Sequence, residues 1–546
     1  MLSDLQIGNS MDTFLYWAVV VLYSALVVYI GYRIRAVHRL EGQTASQAGL
    51  EFWMAGRQLP GWRLGISLTS GWLMLGWIGF GMSQIYMYGA TGLWILPIPW
   101  FVLCFIIIVM VPFVRRIGAV SLPQVIEKRY GRQARMLVAV FSFGVFIAWT
   151  QAELFMAGAL MAPFLKIPPW ACMTLLVVPI ILYTYLGGFR AIVTTDIVQF
   201  LIMAVFMVLL TIAAVVAASR ATGGDIIGAL REATPPWSGR REVFNPFFLG
   251  LIFPVVLLVG YLPGWMIEQD LCLRLQAVKS TREGRKGAIL SLVLITVFIL
   301  VLPGIAAFCA IVAFPAADGA APEAIGADAT GIISAFVGTM PLALSLLMLL
   351  GIVACQMSTV DTFANVSAMA IAYDIVEPVL VKKKGSPKNR IQVARYISIG
   401  SILAALFCAF ISDKLGDVYY ISSGVLSASI AVPALFVFWR PTTPPAMMTS
   451  SIVGFIGTVG GYWWEYKFLQ AGDPDAAHYY ANELPAWLQN SYGYHYIVLG
   501  VVLSAAAIVA VSLVTKPTSA ELLDNLKDAP IDDYGRFVSS VFGEAG

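Results

Sequence analysis

Apolar runs long enough to cross a bilayer recur along almost the whole chain, and short polar breaks separate them. A bilayer core needs about 20 predominantly apolar residues per helix. Runs of that kind fall at 14–33, 62–87, 92–114, 134–163, 168–186, 191–217, 247–273, 287–314, 329–372, 392–411, 418–438, 445–467 and 494–515. The pattern predicts an all-α polytopic membrane protein of about 13 transmembrane helices, whose loops are mostly too short to form domains of their own.

Composition agrees with this reading, at 59% hydrophobic and 12% charged residues with a mean hydropathy of +0.82. The basic loops alternate. RIRAVHR (33–39), the Arg115 to Arg135 stretch, RLQAVKSTREGRKG (274–287) and VKKKGSPKNR (381–390) fall on one side, and AADGAAPEAIGADAT (316–330) on the other. Positive loops stay in the cytoplasm, so the N-terminus is expected outside and the C-terminus inside, in the plasma (inner) membrane. The first run lacks a cationic leader and a small-residue cleavage site, and it reads as a retained helix.

The net charge of +3 is too small to imply a nucleic-acid partner; the implied partners are the lipid bilayer and a small solute. Cys104, Cys172, Cys272, Cys309, Cys355 and Cys408 lie in or beside apolar runs without a C-x-x-C pair and read as packing residues. His38, His478 and His495 show no metal-ligand spacing. With no nucleophile elbow and no phosphate-cradling glycine loop, neither an enzyme nor an organic cofactor is expected.

Polar side chains inside the apolar runs carry the chemistry. In GIVACQMSTVDT (351–362), Ser358, Thr359, Asp361 and Thr362 must face protein, water or a bound ion, because an unsatisfied polar group in hydrocarbon costs several kcal/mol. Positions 355, 358 and 359 share one helical face; hydroxyl bonding to the preceding turn is the alternative use of Ser358 and Thr359. Two segments look like broken helices: ISLTSGWLMLGWIGFG (66–81), and VGYLPGWMIEQ (259–269) with Gly260, Pro263 and Gly264. Each opens a run of five helices. Unwinding there would turn backbone carbonyls toward a central cavity, which suits a small hard cation; simple kinks for close packing are the other reading.

Four motifs carry a resemblance to a known family. YTYLGGFRAIVTTDIVQ (183–199), FWMAGRQLPGW (52–62), SLPQVIEKRYG (121–131) and QMSTVDTFANVSAMAIAYDI (356–375) resemble, in order, the characteristic segments of the sodium/solute symporter family. The resemblance implies the inverted five-plus-five repeat of the leucine-transporter type. Its parts would be an extra N-terminal helix and loop (1–61), a first repeat (62–217), an extracellular loop (218–246), a second repeat (247–440), two further helices (441–515) and a cytoplasmic tail (516–546).

It also implies Na+ as coupling ion, held by the backbone carbonyls of Ser70, Leu73 and Cys355 and the hydroxyls of Ser358 and Thr359, with Asp196 helping the ion leave toward the cytoplasm. A helix-end charge paired with Arg190 is the other reading of Asp196. The solute would meet Trp72, Trp77, Gln151, Glu153, Trp265, Tyr419 and Ser423. Trp72 stands where proline symporters of the family carry aspartate, and Glu153 where many members carry glutamine. Glu153 would coordinate a cation, bind a cationic solute group, exchange a proton or make a structural hydrogen bond.

The function expected is secondary active symport, coupling inward Na+ movement to uptake of a small polar organic solute such as an amino acid, carboxylate or sugar. Two alternatives stay open: a transporter-fold sensor signalling through a cytoplasmic partner of the tail, and proton coupling through Glu153 or Asp196. Glu268, Asp270 and Arg274 read as a latch with an i, i+4 ion pair between the last two. The aromatic stretch from Gln470 to Tyr494 reads as an interfacial belt.

Overall fold

The computed structural model describes residues 10–37, 53–95, 97–117, 119–236, 242–317, 319–326, 329–378, 387–411, 415–464 and 495–516. His38, His478, the aromatic stretch up to Tyr494, most of the 381–390 loop and the tail beyond 516 lie outside the described residues. Among the described residues the chain is helical almost throughout, and the two β-bridges, Leu59 with Val278 and Ala317 with Ala320, are isolated. Among the described residues, nine helices are long and apolar enough to cross a membrane, or ten when the bent pair Ile252–Met266 and Gln269–Ala277 is counted as one span.

Large apolar side chains are exposed on the described surface, as lipid solvation requires, while the polar side chains of the spans are turned inward among a mostly apolar core. Phe105, Val109, Leu201 and Phe407 are at least half exposed, whereas Ser358, Thr359, Asp196 and Asp361 are fully buried. The expected runs at 168–186 and 191–217 fall in Pro169–Thr222, a 54-residue helical stretch. At about 1.5 Å per residue it would reach about 80 Å, far more than one bilayer crossing. Its two apolar segments are Pro169–Tyr185 and Phe189–Thr222.

Two expectations need correction. The run at 329–372 is not one helix: a short helix, Ile332–Gly338, precedes the long Leu342–Ile371 helix. Pro341, extended at φ −58° and ψ 150°, has no N–H to continue a ladder and starts the new helix instead. In the second broken segment, Gly260, Pro263 and Gly264 do not mark the break, since Ile252–Met266 runs through them. Proline still disturbs the ladder there, and Gly264 N donates to Ser427 Oγ at 3.2 Å. The 43° bend comes after Met266, where Glu268 adopts extended ψ 131°.

Outside the spans, Ser121 caps Leu122–Tyr130 by accepting from Gln124 N at 3.1 Å. Ser121 Oγ donates to Asp374 Oδ1 at 2.5 Å, and Arg135 Nε to the same oxygen at 3.0 Å. This network ties the short helix to the end of the long 342–371 helix.

Candidate functional site

The first broken helix runs Gly61–Trp72 and resumes Leu75–Tyr88. Between the halves Leu73 (φ −80°, ψ 57°) and Met74 (φ −78°, ψ 109°) leave the helical region. Weak helix formers surround the gap, in the run Ser70-Gly71 and at Gly76. A break leaves orphan carbonyls before it and orphan N–H groups after it. Here Glu153, from the Arg132–Leu165 helix, serves the donors: its Oε2 accepts from Gly76 N at 3.0 Å.

Glu153 is fully buried, and neutral donors surround it. Tyr419 donates its hydroxyl to Oε1. Gln356, with its amide oriented to donate, reaches Glu153 O at 2.8 Å and Oε2 at 3.1 Å. A Cβ at Gly76 would stand 2.6 Å from the Tyr419 hydroxyl and 2.9 Å from Glu153 Oε1, so any other residue there would have to push these two groups aside.

Beneath the same break the long 342–371 helix presents its hydroxyls. Ser358 Oγ lies 2.8 Å from Ser70 Oγ and donates to Asp196 Oδ1 at 2.7 Å. Ser67 Oγ donates to Asp196 Oδ2 at 2.5 Å. Cys355 is buried on the same helix, and Thr359 Oγ1 is buried without a hydrogen-bond partner. Leu73, fully buried, occupies the break itself. Ser70, Ser358 and Asp196 are thus joined by hydrogen bonds, with Leu73, Cys355 and Thr359 within a turn of them along their helices.

Asp196 is neither a helix-end charge nor a partner of Arg190, whose Nη2 donates to Ala55 O at 3.0 Å. Its cationic partner is Arg274, at 3.3 Å. Arg274 also pairs with Asp270 and donates to Thr362 Oγ1 at 2.9 Å. Asp361 accepts from the Tyr183 hydroxyl, which connects the 183–199 segment with the 356–375 segment.

Above the break, aromatic side chains enclose a cavity. Trp77 contacts Tyr419 with ring centroids 4.5 Å apart and Trp265 at 6.0 Å, edge to face. Trp72 stacks on Trp100 at 5.9 Å, and Trp100 meets Trp265 at 6.2 Å. Of the expected solute residues, Trp72, Trp77, Trp265 and Tyr419 line this cavity. Glu153 stands behind Tyr419. Gln151 is half-buried and does not line it; residues two apart point roughly 200° apart on a helix, so Gln151 and Glu153 cannot share a face. Ser423 is buried outside the lining, with an unpartnered hydroxyl.

Trp100, Trp149 and Glu268, which the sequence reading did not place in the site, also line the cavity. The two tryptophans carry no local signal, since an indole in an apolar run reads as packing. Glu268 carried one, an acid within the apolar run at 247–273. Gln356, likewise missed, sits one position after Cys355 on the long helix.

The sodium:solute symporter family model matches residues 52–454. The chain belongs to the sodium:solute symporter family. Among its relatives, the sodium/glucose cotransporter of Vibrio parahaemolyticus is 26% identical over 494 residues, covering 84% of this chain and 86% of that protein. The sodium/sialic acid symporter of Aliivibrio fischeri is 24% identical over 392 residues, covering 69% and 74%. A solved structure of a Na+-coupled sialic acid symporter, substrate-bound and outward-open, superposes with a TM-score of 0.69 at 18% identity, covering 94% of this chain and all of that one.

The fold is therefore the five-plus-five symporter architecture, with the helices 61–88 and 252–277 as its broken pair. Like other members of the sodium:solute symporter family, the chain is an integral, multi-pass Na+-coupled transporter of a small solute, not an enzyme.

Proposed function

We propose that Na+ binds between the first broken helix and the long 342–371 helix, on the carbonyls of Ser70, Leu73 and Cys355 and the hydroxyls of Ser358 and Thr359. The observation that carries this is the 2.8 Å contact of Ser70 with Ser358 beside the Thr359 hydroxyl, which is buried and lacks a partner. Oxygen donors at the end of a half-helix suit a hard cation, and the negative end of that half-helix dipole favours it. Asp196, bonded directly to Ser358, lies next to that position and would draw the ion inward.

The solute, a small polar organic molecule, would occupy the aromatic cavity above the same break. Ion and solute then share one broken helix. Filling the ion site pre-orders the break, and coupling of this kind is reciprocal and typically about 1–3 kcal/mol. In this conformation the cavity leaves room for about one water molecule, so the aromatic walls must part to admit solute.

Orientation follows the basic loops, with the N-terminus outside, the C-terminus cytoplasmic and the plasma membrane as location. The division into repeats at 62–217 and 247–440 follows from the broken helix that opens each. Radioactive sodium binding to the purified protein tests the ion site: Ser358→Ala combined with Thr359→Ala should abolish saturable binding, and undiminished binding would reject these ligands.

A further inference from the structure

The aromatic cavity contains one acid, Glu268, that makes no ion pair of its own among the described residues. Glu268 is 4% exposed, lines the cavity, and has its Oε1 buried without a hydrogen-bond partner. It begins the Gln269–Ala277 helix but makes no side-chain capping bond there. Arg274, one turn and a half further on, has its terminal nitrogens engaged with Asp270, Asp196 and Thr362. Four buried carboxylates, Asp196, Glu268, Asp270 and Asp361, therefore surround one arginine. Even with a Na+ bound under the first break, the acid in the cavity would still face tryptophan rings.

Trp72, Trp77, Trp100, Trp149 and Trp265 wall the space in front of Glu268. Rings of this kind attract cations through their faces, most strongly when desolvated, and enclosures of them recognise quaternary ammonium groups. The indole N–H of Trp149 is also buried without a partner. The cavity thus offers cation-attracting faces, a carboxylate oxygen without a partner and, at Trp149, a free donor.

We propose that the co-transported solute is a small organic cation, an alkylammonium or quaternary ammonium compound that also carries a hydrogen-bond acceptor, with its cationic head against Glu268 and the tryptophan walls. This rests on reading the cavity as the solute site of a Na+-driven symporter. A sugar would leave the carboxylate and the cation-attracting faces without a counterpart, and a simple carboxylate would be repelled by Glu268.

The test uses the purified full-length protein in NaCl and in KCl, with tryptophan fluorescence and thermal unfolding read in parallel. The ligands are choline, its uncharged carbon isostere 3,3-dimethylbutan-1-ol, and glucose. Choline should quench the fluorescence saturably in NaCl at least about tenfold more tightly than the isostere, and Glu268→Gln should remove most of that difference. Equal binding of choline and isostere, glucose binding in preference to choline, no response to choline, or an undiminished preference in Glu268→Gln would each overturn the proposal.

If the variant does not fold, the choline-to-isostere ratio on the native protein still decides. The two readings fail separately: sodium-specific stabilisation without a choline preference rejects the solute class alone, and absence of any sodium effect rejects the symport reading of the site.

Discussion

The two broken helices solve one backbone problem in opposite ways. In the first, the donors freed after Met74 receive an acid from another helix: Glu153 accepts from Gly76 and is itself held by Tyr419 and Gln356. In the second, the acid belongs to the break, because Glu268 sits at the bend, makes no cap and has an oxygen without a partner. Buried polar groups that are fully satisfied rigidify a site, and one left unsatisfied costs free energy that a ligand can recover. The donors after the first break are accordingly met within the protein, whereas the acid at the second is left for a ligand.

Arg274 joins the two halves of this arrangement and should produce the largest effect. It follows the second break and reaches Asp196 under the first. Arg274→Met strands Asp196 and Asp270 and should cost about 3–5 kcal/mol, the scale for breaking a buried pair on one side. Loss of the monodisperse peak in size-exclusion chromatography of detergent extracts would report it. A stable, monodisperse Arg274→Met protein would mean that the two breaks are not linked through this residue.

The acids themselves give the sharpest contrast. Glu153→Gln must leave one of its donors without an acceptor, at about 1–3 kcal/mol, and should lower Tm. Glu268→Gln replaces an oxygen that has no partner, so Tm should hold or rise. The reverse order of the two melting temperatures would invert the comparison. Glycines extend it: Gly76→Ala drives a Cβ against both Tyr419 and Glu153 and should cost about 1–3 kcal/mol. Gly260→Ala meets a single movable side chain, Ile497, at 2.7 Å and should cost less. Tyr419→Phe, which removes one hydrogen bond to Glu153 and keeps the ring against Trp77, should cost about 1 kcal/mol in denaturation.

Much of this was legible in the sequence because hydropathy and the lipid solvent fix where helices lie. The hydroxyls of Ser358 and Thr359 stood out for the same reason, since polar atoms in an apolar run need partners. The first break could be read from Ser70, Gly71 and Gly76. The second was misplaced by a few residues, because Pro263 advertises a break that Ser427 partly repairs from a distant helix. Contacts across the chain were not legible. Asp196 was read as a residue of the ion's exit path, with a helix-end charge as the other reading, and its pairing with Arg274, 78 residues away, had no signal in the sequence. Trp100 and Trp149 look like any indole in an apolar helix until folding turns them to one cavity. Gln151 illustrates the converse, a polar residue in the right helix on the wrong face.

The most direct measurement is thermal unfolding of the purified protein in NaCl against KCl, for the native chain and for Ser358→Ala combined with Thr359→Ala. Sodium at one hundred times its dissociation constant should stabilise the native protein by about 2.7 kcal/mol, and the double variant should melt alike in both salts. A sodium-specific rise that survives in the double variant would contradict the ion site under the first break.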